Sequence, residues 1–478
     1  MYWQENTKVR IRDLIIMGRQ YLVLACIIIV AIAVLFFLGY YVIYRKILHG
    51  RIKIGIGKII WLGVLLIYLF VVAGATLFSR GGYYGNGMVS QLFSSYREAY
   101  ILQKSVLWRN LILNYLMFVP LGILLPIGIK QFSKPWHVYV CGFVLSFLIE
   151  TTQLVLHRGI FEPDDLFANT VGCMIGYGIY NIFRHVVCKD KKEKARKIFA
   201  LQLPLIAACS VFTVLFVCYA GQELGNNPNQ AYENIQSSAF EVDGKSNFEN
   251  EDRQLTVYRV KRLSVEEAIT KGRDFFASIG TKINDSRTDI YDESVLLYDS
   301  SGMCCIWIDY MGGSLRYTNF DMMFSEDGTD KASVKASETD VRAALSKVHV
   351  NLPPEAVFLE EGNGRYLFRV DVNEQMDVLN DGFLECKYSA ETGIAEFDNH
   401  ILLLERYKTY PAISTQEAFN KLRQGDFCTY LPEGFAKISV EGVRIGYSID
   451  TKGFYQPDYC FDCIINGENS TIRIPALR

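Results

Sequence analysis

Apolar residues fall into six long runs before residue 220 and into short alternating runs after it. The long runs cover about 21–44, 59–78, 111–129, 136–156, 165–187 and 199–219. Crossing the ~30 Å hydrocarbon core of a bilayer takes roughly 20 helical residues, so each run is long enough, or nearly so. The first carries no charge from Tyr21 to Tyr44. It is longer than a signal-peptide core and lacks a small-residue cleavage site, so it reads as a retained helix. Barrel strands would show period-2 alternation over about ten residues. The pattern therefore predicts an all-α polytopic membrane bundle of about six transmembrane helices over residues 1–219.

After residue 220 the pattern changes. The stretch 220–250 is dominated by Asn, Gln, Ser and Glu without an apolar period, and reads as a linker. Over 251–478, three segments read as helix starts with a Ser-x-x-acid cap: Ser264 to Glu267, Ser337 to Asp340 and Ser414 to Glu417. They recur at intervals of 73 and 77 residues. Strand-like runs follow each one, including 294–298, 365–371 and 443–449. The expected fold is an α+β domain of repeated helix-plus-antiparallel-strand units.

Charge divides the chain at the same place. Residues 1–219 hold 23 Lys+Arg against 9 Asp+Glu, a net +14, whereas residues 220–478 hold 26 against 42, a net −16. A single soluble globule is excluded by this division. Nucleic acid is not an expected partner, because the basic residues flank apolar runs and the remainder is acidic. The loop 188–198 carries Lys189, Lys191, Lys192, Lys194, Arg196 and Lys197, which predicts a cytoplasmic side. Six spans then send the last helix outward, so the C-terminal domain is expected to be extracytoplasmic. The bilayer is the expected surrounding of the first half, on a multi-pass cell-membrane chain.

Charged side chains within spans cost about 2.5–3.5 kcal/mol each on insertion scales, so they call for a reason. Glu150 lies inside an apolar run, with Gln153 three residues on, on the same helix face. Arg158, Glu162, Asp164 and Asp165 follow, and Asn169 lies one turn after Asp165. Arg80, Arg109, Asn110 and Asn114 sit at the ends of earlier spans. A hairpin of the fourth and fifth spans would gather these groups near the outer surface. Plainer roles stand beside that reading. Asp164 or Asp165 could cap a helix. Glu150 could pair with Arg80, Arg109 or Arg158 as structural glue. Gly172 and Gly176 form a GxxxG step for close helix packing, and Pro120 with Gly122 could kink the third span.

At these residues the chain resembles a known family. The segment Asn114-Tyr-Leu-Met-Phe-Val-Pro-Leu-Gly122 resembles the N-x-x-x-F-x-P-x-G helix of VanZ-like membrane proteins. Glu150-Thr-Thr-Gln153, Arg158-Gly159 and Asp164-Asp165-Leu-Phe-Ala-Asn169-Thr-Val-Gly172 resemble that family's second signature. Ala75-Thr-Leu-Phe-Ser-Arg80 resembles its T-L-x-x-R helix end. The resemblance covers about residues 60–185, in matching order and spacing. One position departs from the pattern: Glu162 stands where the family often has Asp. The resemblance implies low-level resistance to teicoplanin, a glycopeptide that binds cell-wall precursors, in a bacterial plasma membrane of Gram-positive type. It makes a lipid-linked cell-wall precursor or the glycopeptide the candidate ligand. The candidate binding set is Arg80, Asn114, Glu150, Gln153, Arg158, Asp164, Asp165 and Asn169. Separately, Tyr410-Pro-Ala-Ile-Ser-Thr-Gln-Glu-Ala418 is similar to repeats in PepSY-like and YycI-like extracytoplasmic domains.

Neither a cofactor nor a metal is expected. Cys460-Phe-Asp-Cys463 has the spacing of a redox or metal pair, yet no second such pair or Cys/His cluster accompanies it. In an exported domain a single disulfide between strands is the expected alternative to plain core packing. No Walker loop, Gly-x-Ser-x-Gly or HExxH motif is present. Three functions remain. The leading one is non-enzymatic handling of envelope precursors or glycopeptide. The second is a signalling accessory whose outer domain binds a membrane-protein partner. The third is an intramembrane enzyme acting on a lipid-linked substrate, with Glu150 or Asp165 as general base.

Overall fold

Runs of Leu, Ile, Val and Phe with few charges form the helices of the first unit, Met1–Gln222, and alternating sequences form the sheet of the second, Glu223–Arg478. The computed structural model describes residues 46, 55–78, 89, 91–187, 195–231, 234–244, 248–251, 253–324, 336–370, 379–391, 393–429, 431 and 435–478. The expected first span, 21–44, lies outside these residues.

The first unit contains α1 (Ile56–Ala73), extended by a π-helical turn over Gly74–Phe78, α2 (Ser94–Leu102), α3 (Ser105–Gly128), α4 (Pro135–Val155), α5 (Pro163–Val186), α6 (Ala195–Ala200) and α7 (Leu203–Gly221). Among the described residues, five helices are long and apolar enough to cross a membrane: 56–77, 105–128, 135–155, 163–186 and 203–221. They match the five later runs read from the sequence. Pro135 and Pro163 open α4 and α5 at their first turns, where no intrahelical donor is lost.

The contact between α3 and α5 is set by glycine. A Cβ at Gly172 would lie 2.0 Å from the Tyr115 carbonyl oxygen, and one at Gly176 would lie 2.1 Å from that of Val119. One at Gly122 would lie 2.1 Å from the Cys173 carbonyl oxygen. These three positions let the two backbones touch, as the GxxxG step implies. Phe118, Leu121, Leu125, Val138, Cys173 and Tyr177 fill the adjoining core.

The second unit begins folding at once. Within the stretch 220–250, expected to be a linker, residues 225–229 and 240–244 are held against the sheet. The backbone N–H groups of Gly225 and Asn226 donate to the Asp450 carboxylate and the Thr451 hydroxyl. Asn227 and Asn229 donate to the buried Asp458 carboxylate at 2.7 and 2.8 Å. Further on, β1 (Phe240–Gly244) pairs parallel to β12 (Ala436–Ile449). The Asn227 and Asn229 side chains, which look like linker composition, donate to one buried carboxylate, and the Gly225 backbone donates to a second.

The remaining strands are β2 (Arg253–Val260), β3 (Ile283–Ile290), β4 (Ser294–Asp299), β5 (Cys304–Asp309), β6 (Leu315–Asn319), β7 (Val357–Gly362), β8 (Arg365–Val370), β9 (Leu379–Ser389), β10 (Gly393–Asn399), β11 (Leu402–Ala412), β12 (Ala436–Ile449), β13 (Phe454–Ile465) and β14 (Glu468–Pro475). They run β1-β12-β13-β2-β11-β9-β10-β6-β5-β4-β3, with β14 also on β13 and the β7–β8 hairpin on β9. Besides a five-residue helix at Phe320–Phe324, three longer helices among the described residues cover this sheet: α8 (Val265–Ser278), α9 (Glu338–Lys347) and α10 (Thr415–Arg423). Ser264, Ser337 and Ser414 are their N-caps, each accepting from the N–H three residues on. The repeated caps read from the sequence are thus real helix starts. Two cores result. Helices α8 and α9 bury Phe275, Phe276, Val341 and Leu345 against Ile306, Phe368 and Phe397. Helix α10 buries Phe419 and Leu422 against Ile438, Phe461 and Ile472.

Cys460 and Cys463 lie on β13, three residues apart, so their side chains point to opposite faces of the sheet. They therefore form neither a chelate nor a disulfide with one another. Cys304, Cys305, Cys386, Cys460 and Cys463 are buried free thiols. Burial pushes Cys386 up to about 12 and Cys463 up to about 11, which suits core packing and not reactivity.

Candidate functional site

Polar side chains meet where α3, α4 and α5 adjoin in the first unit. On α4, Ser146, Glu150 and Gln153 recur at helical spacing and are 0, 2 and 1 % exposed. On α5, Asp165 and Asn169 are one turn apart. The Asn169 amide nitrogen donates to the Ser146 hydroxyl at 2.9 Å, joining the two helices. The Asn114 amide nitrogen on α3 donates to the Asp165 carboxylate at 2.5 Å. Glu150 accepts the backbone N–H of Glu162, the residue that opens α5, at 3.2 Å. The Gln153 amide nitrogen reaches the Thr76 carbonyl at 2.9 Å, and Arg158 donates to the Leu77 carbonyl at 3.0 Å. The stripe thus ties the end of α1 to the α4–α5 hairpin.

Asp164 does something different. Its side chain is 1 % exposed, and its two oxygens accept the backbone N–H groups of Phe93 at 2.5 Å and Ser95 at 2.8 Å. It caps α2, a helix 71 residues away in sequence, and not its own helix. A carboxylate suits that place, because the first N–H groups of a helix lack partners and carry the positive end of its dipole. Phe93 is held at φ 69°, a left-handed conformation uncommon for an aromatic residue. Its ring packs edge-on against Phe167 and Tyr96, and Ser95 also donates to Glu162. Below α2, the Tyr96 and Tyr115 hydroxyls share a hydrogen bond of 2.8 Å.

Of the eight residues singled out from the sequence, seven lie among the described residues and Arg80 lies outside them. Asn114 and Asp165 meet directly. Glu150 and Gln153 share one buried face, and Asn169 joins it through Ser146. Asp164 serves α2, and Arg158 is exposed beside α1. Ser146, Thr76 and the Tyr96–Tyr115 pair also belong to the cluster. Ser146 was legible as a polar residue one turn before Glu150. The others depend on tertiary contacts without a local signal.

Two atoms of the stripe stand out. The amide oxygens of Gln153 and Asn169 are fully buried and, among the described residues, accept no hydrogen bond. Buried polar atoms are hydrogen-bonded in the great majority of cases.

Residues 24–184 match the family model described as VanZ/LLP1. Protein VanZ of Enterococcus faecium is 28% identical over 142 residues, which is 29% of this chain and 84% of that protein. Among solved structures, an uncharacterized protein from Eubacterium rectale ATCC 33656 aligns with a TM-score of 0.26 at 12% identity, covering 49% of this chain and 87% of that one. The Bacillus megaterium YpeB C-terminal domain aligns with a TM-score of 0.21 at 18% identity, covering 45% and 94%. All of the polar stripe lies inside the matched segment, and the chain is a membrane protein whose residues 24–184 match the VanZ/LLP1 family model.

Proposed function

We propose that this chain is a cell-envelope membrane protein whose VanZ-like domain lowers sensitivity to a glycopeptide such as teicoplanin, by binding and not by catalysis. The observation that carries the reading is the polar stripe of Glu150, Gln153 and Asn169, buried between apolar helices with the half-buried Asp165 beside it, inside the segment that the family model matches. Asn114, Arg80 and Arg158 complete the binding set, with Asp164 holding α2 over it. The bound group belongs to a lipid-linked cell-wall precursor or to the glycopeptide itself. The Glu223–Arg478 unit lies on the outer side, as the Lys and Arg distribution implies. Its separate cores support a second task for it, capture of a membrane-protein partner.

The test is teicoplanin susceptibility of a sensitive Gram-positive host expressing the whole chain or residues 1–222, with membrane abundance matched. Protection by both forms is the expected result. Protection by neither would remove the resistance reading and leave partner capture as the function to pursue.

A further inference from the structure

The two unpartnered amide oxygens say what kind of ligand the stripe receives. The Thr76 carbonyl can only accept, so the Gln153 side chain must turn its nitrogen to it. That leaves the Gln153 oxygen, in a side chain 1 % exposed, in need of a donor. Deeper along the stripe, on α5, Asn169 donates its nitrogen to the Ser146 hydroxyl, and its buried oxygen accepts nothing from the described residues. An acceptor left bare in an apolar setting loses the bonds it made to water, and a donor is what it lacks. A phosphate or carboxylate brings only acceptors when ionised, and would add to the deficit. An ammonium or amide N–H would cancel it, and the carboxylates of Glu150 and Asp165 on the same faces favour positive charge.

We propose, resting on the binding reading above, that the stripe receives a head group bearing N–H donors, a protonated amine above all, and rejects anionic head groups. The amine could be carried by a lipid or by a water-soluble molecule, and the two sources are separable by experiment.

The full chain in phosphatidylglycerol nanodiscs is titrated with decylamine, ethylamine and decyl phosphate, and binding is followed as a shift in thermal midpoint. Decylamine should bind saturably, and decyl phosphate should give no saturable shift. Binding of decylamine without ethylamine assigns the amine to a lipid, and binding of both assigns it to a soluble molecule. Gln153→Leu and Asn169→Leu should each weaken the amine at least about tenfold, the loss expected for one charge-assisted bond. Asn169→Asp should tighten it, because the Ser146 hydroxyl can turn to donate to the new carboxylate; this variant keeps the test alive should the leucine variants fold poorly. Amine binding untouched by all three substitutions overturns the proposal. So does decyl phosphate binding that depends on Gln153. Leucine variants that bind as wild type and melt higher would mean that the oxygens hold water alone, and would overturn it too. If wild type binds no amine while Glu150→Gln with Asp165→Asn abolishes teicoplanin protection, this inference falls and the binding reading stands. If protection survives that pair, the binding reading falls.

Discussion

Replacing Asp164 by Ala should free α2 while leaving the α3–α5 bundle intact. The carboxylate accepts two backbone N–H groups, from Phe93 and Ser95, and is almost wholly buried. Hydrogen bonds to a charged group contribute about 1.5–3 kcal/mol each, so the pair contributes about 3–6 kcal/mol to keeping α2 seated. The latch also holds Phe93 in its left-handed conformation, which itself costs about 1–2 kcal/mol. At one decade per 1.4 kcal/mol, amides of residues 93–102 should exchange with deuterium about 10² to 10⁴ times faster in Asp164→Ala. Asp164→Asn keeps one acceptor and should fall between. The assay is hydrogen exchange on the full chain in nanodiscs, with the β13 amides as an internal control that should not move. Unchanged exchange over 93–102 in the alanine variant would refute the capping role.

Further expectations follow from the packing and the charges. Gly172→Ala or Gly176→Ala must push α3 and α5 apart, because the added carbon would sit about 2 Å from a carbonyl oxygen. Overpacking of this kind costs about 1–3 kcal/mol or more, and should lower the thermal midpoint of the detergent-solubilised chain. Ser264→Ala, Ser337→Ala and Ser414→Ala should each cost about 1 kcal/mol by loss of the cap, read as faster amide exchange at the start of the helix concerned. The buried Asp458 gives a pH dependence. Burial raises its carboxyl, and donation from Ser448 and Asn227 and the charge of Arg473 offset that only in part. A carboxyl raised in the folded state stabilises it most below the unfolded value of about 3.9, and this contribution is lost as pH rises through the folded value. On account of Asp458 the second unit should therefore be more stable against unfolding near pH 4 than near pH 7, read from exchange of the β13 amides with intrinsic rates divided out. Asp458→Asn should flatten that trend, and a trend of opposite sign would contradict the assignment.

Periodicity and capping chemistry made much of the fold legible. Five spans follow from apolar length alone. Ser264, Ser337 and Ser414 announce three helices because a cap is a local interaction over three residues. The equal spacing of these caps conceals unequal strand content: β3–β6 follow the first, β7–β11 the second and β12–β14 the third. The polar cluster was legible as composition, since acids and amides stand out in apolar helices. Its wiring was not. Asp164 serves a helix 71 residues away, and Gln153 finds a carbonyl 77 residues away. Residues 225–229 read as linker because Asn and Gly are turn and linker residues by composition. Only the fold brings Asp450 and Asp458 to meet them.

One measurement tests the central claim most directly. Glu150→Gln with Asp165→Asn is expressed beside wild type at equal membrane abundance, and teicoplanin susceptibility and thermal midpoint are determined for both. If the stripe binds a ligand, protection is lost while the midpoint stays within a few degrees of wild type. Full protection in the double variant, or a loss of protection that only tracks a collapse of the midpoint, would contradict it and leave these side chains as structural ties between helices.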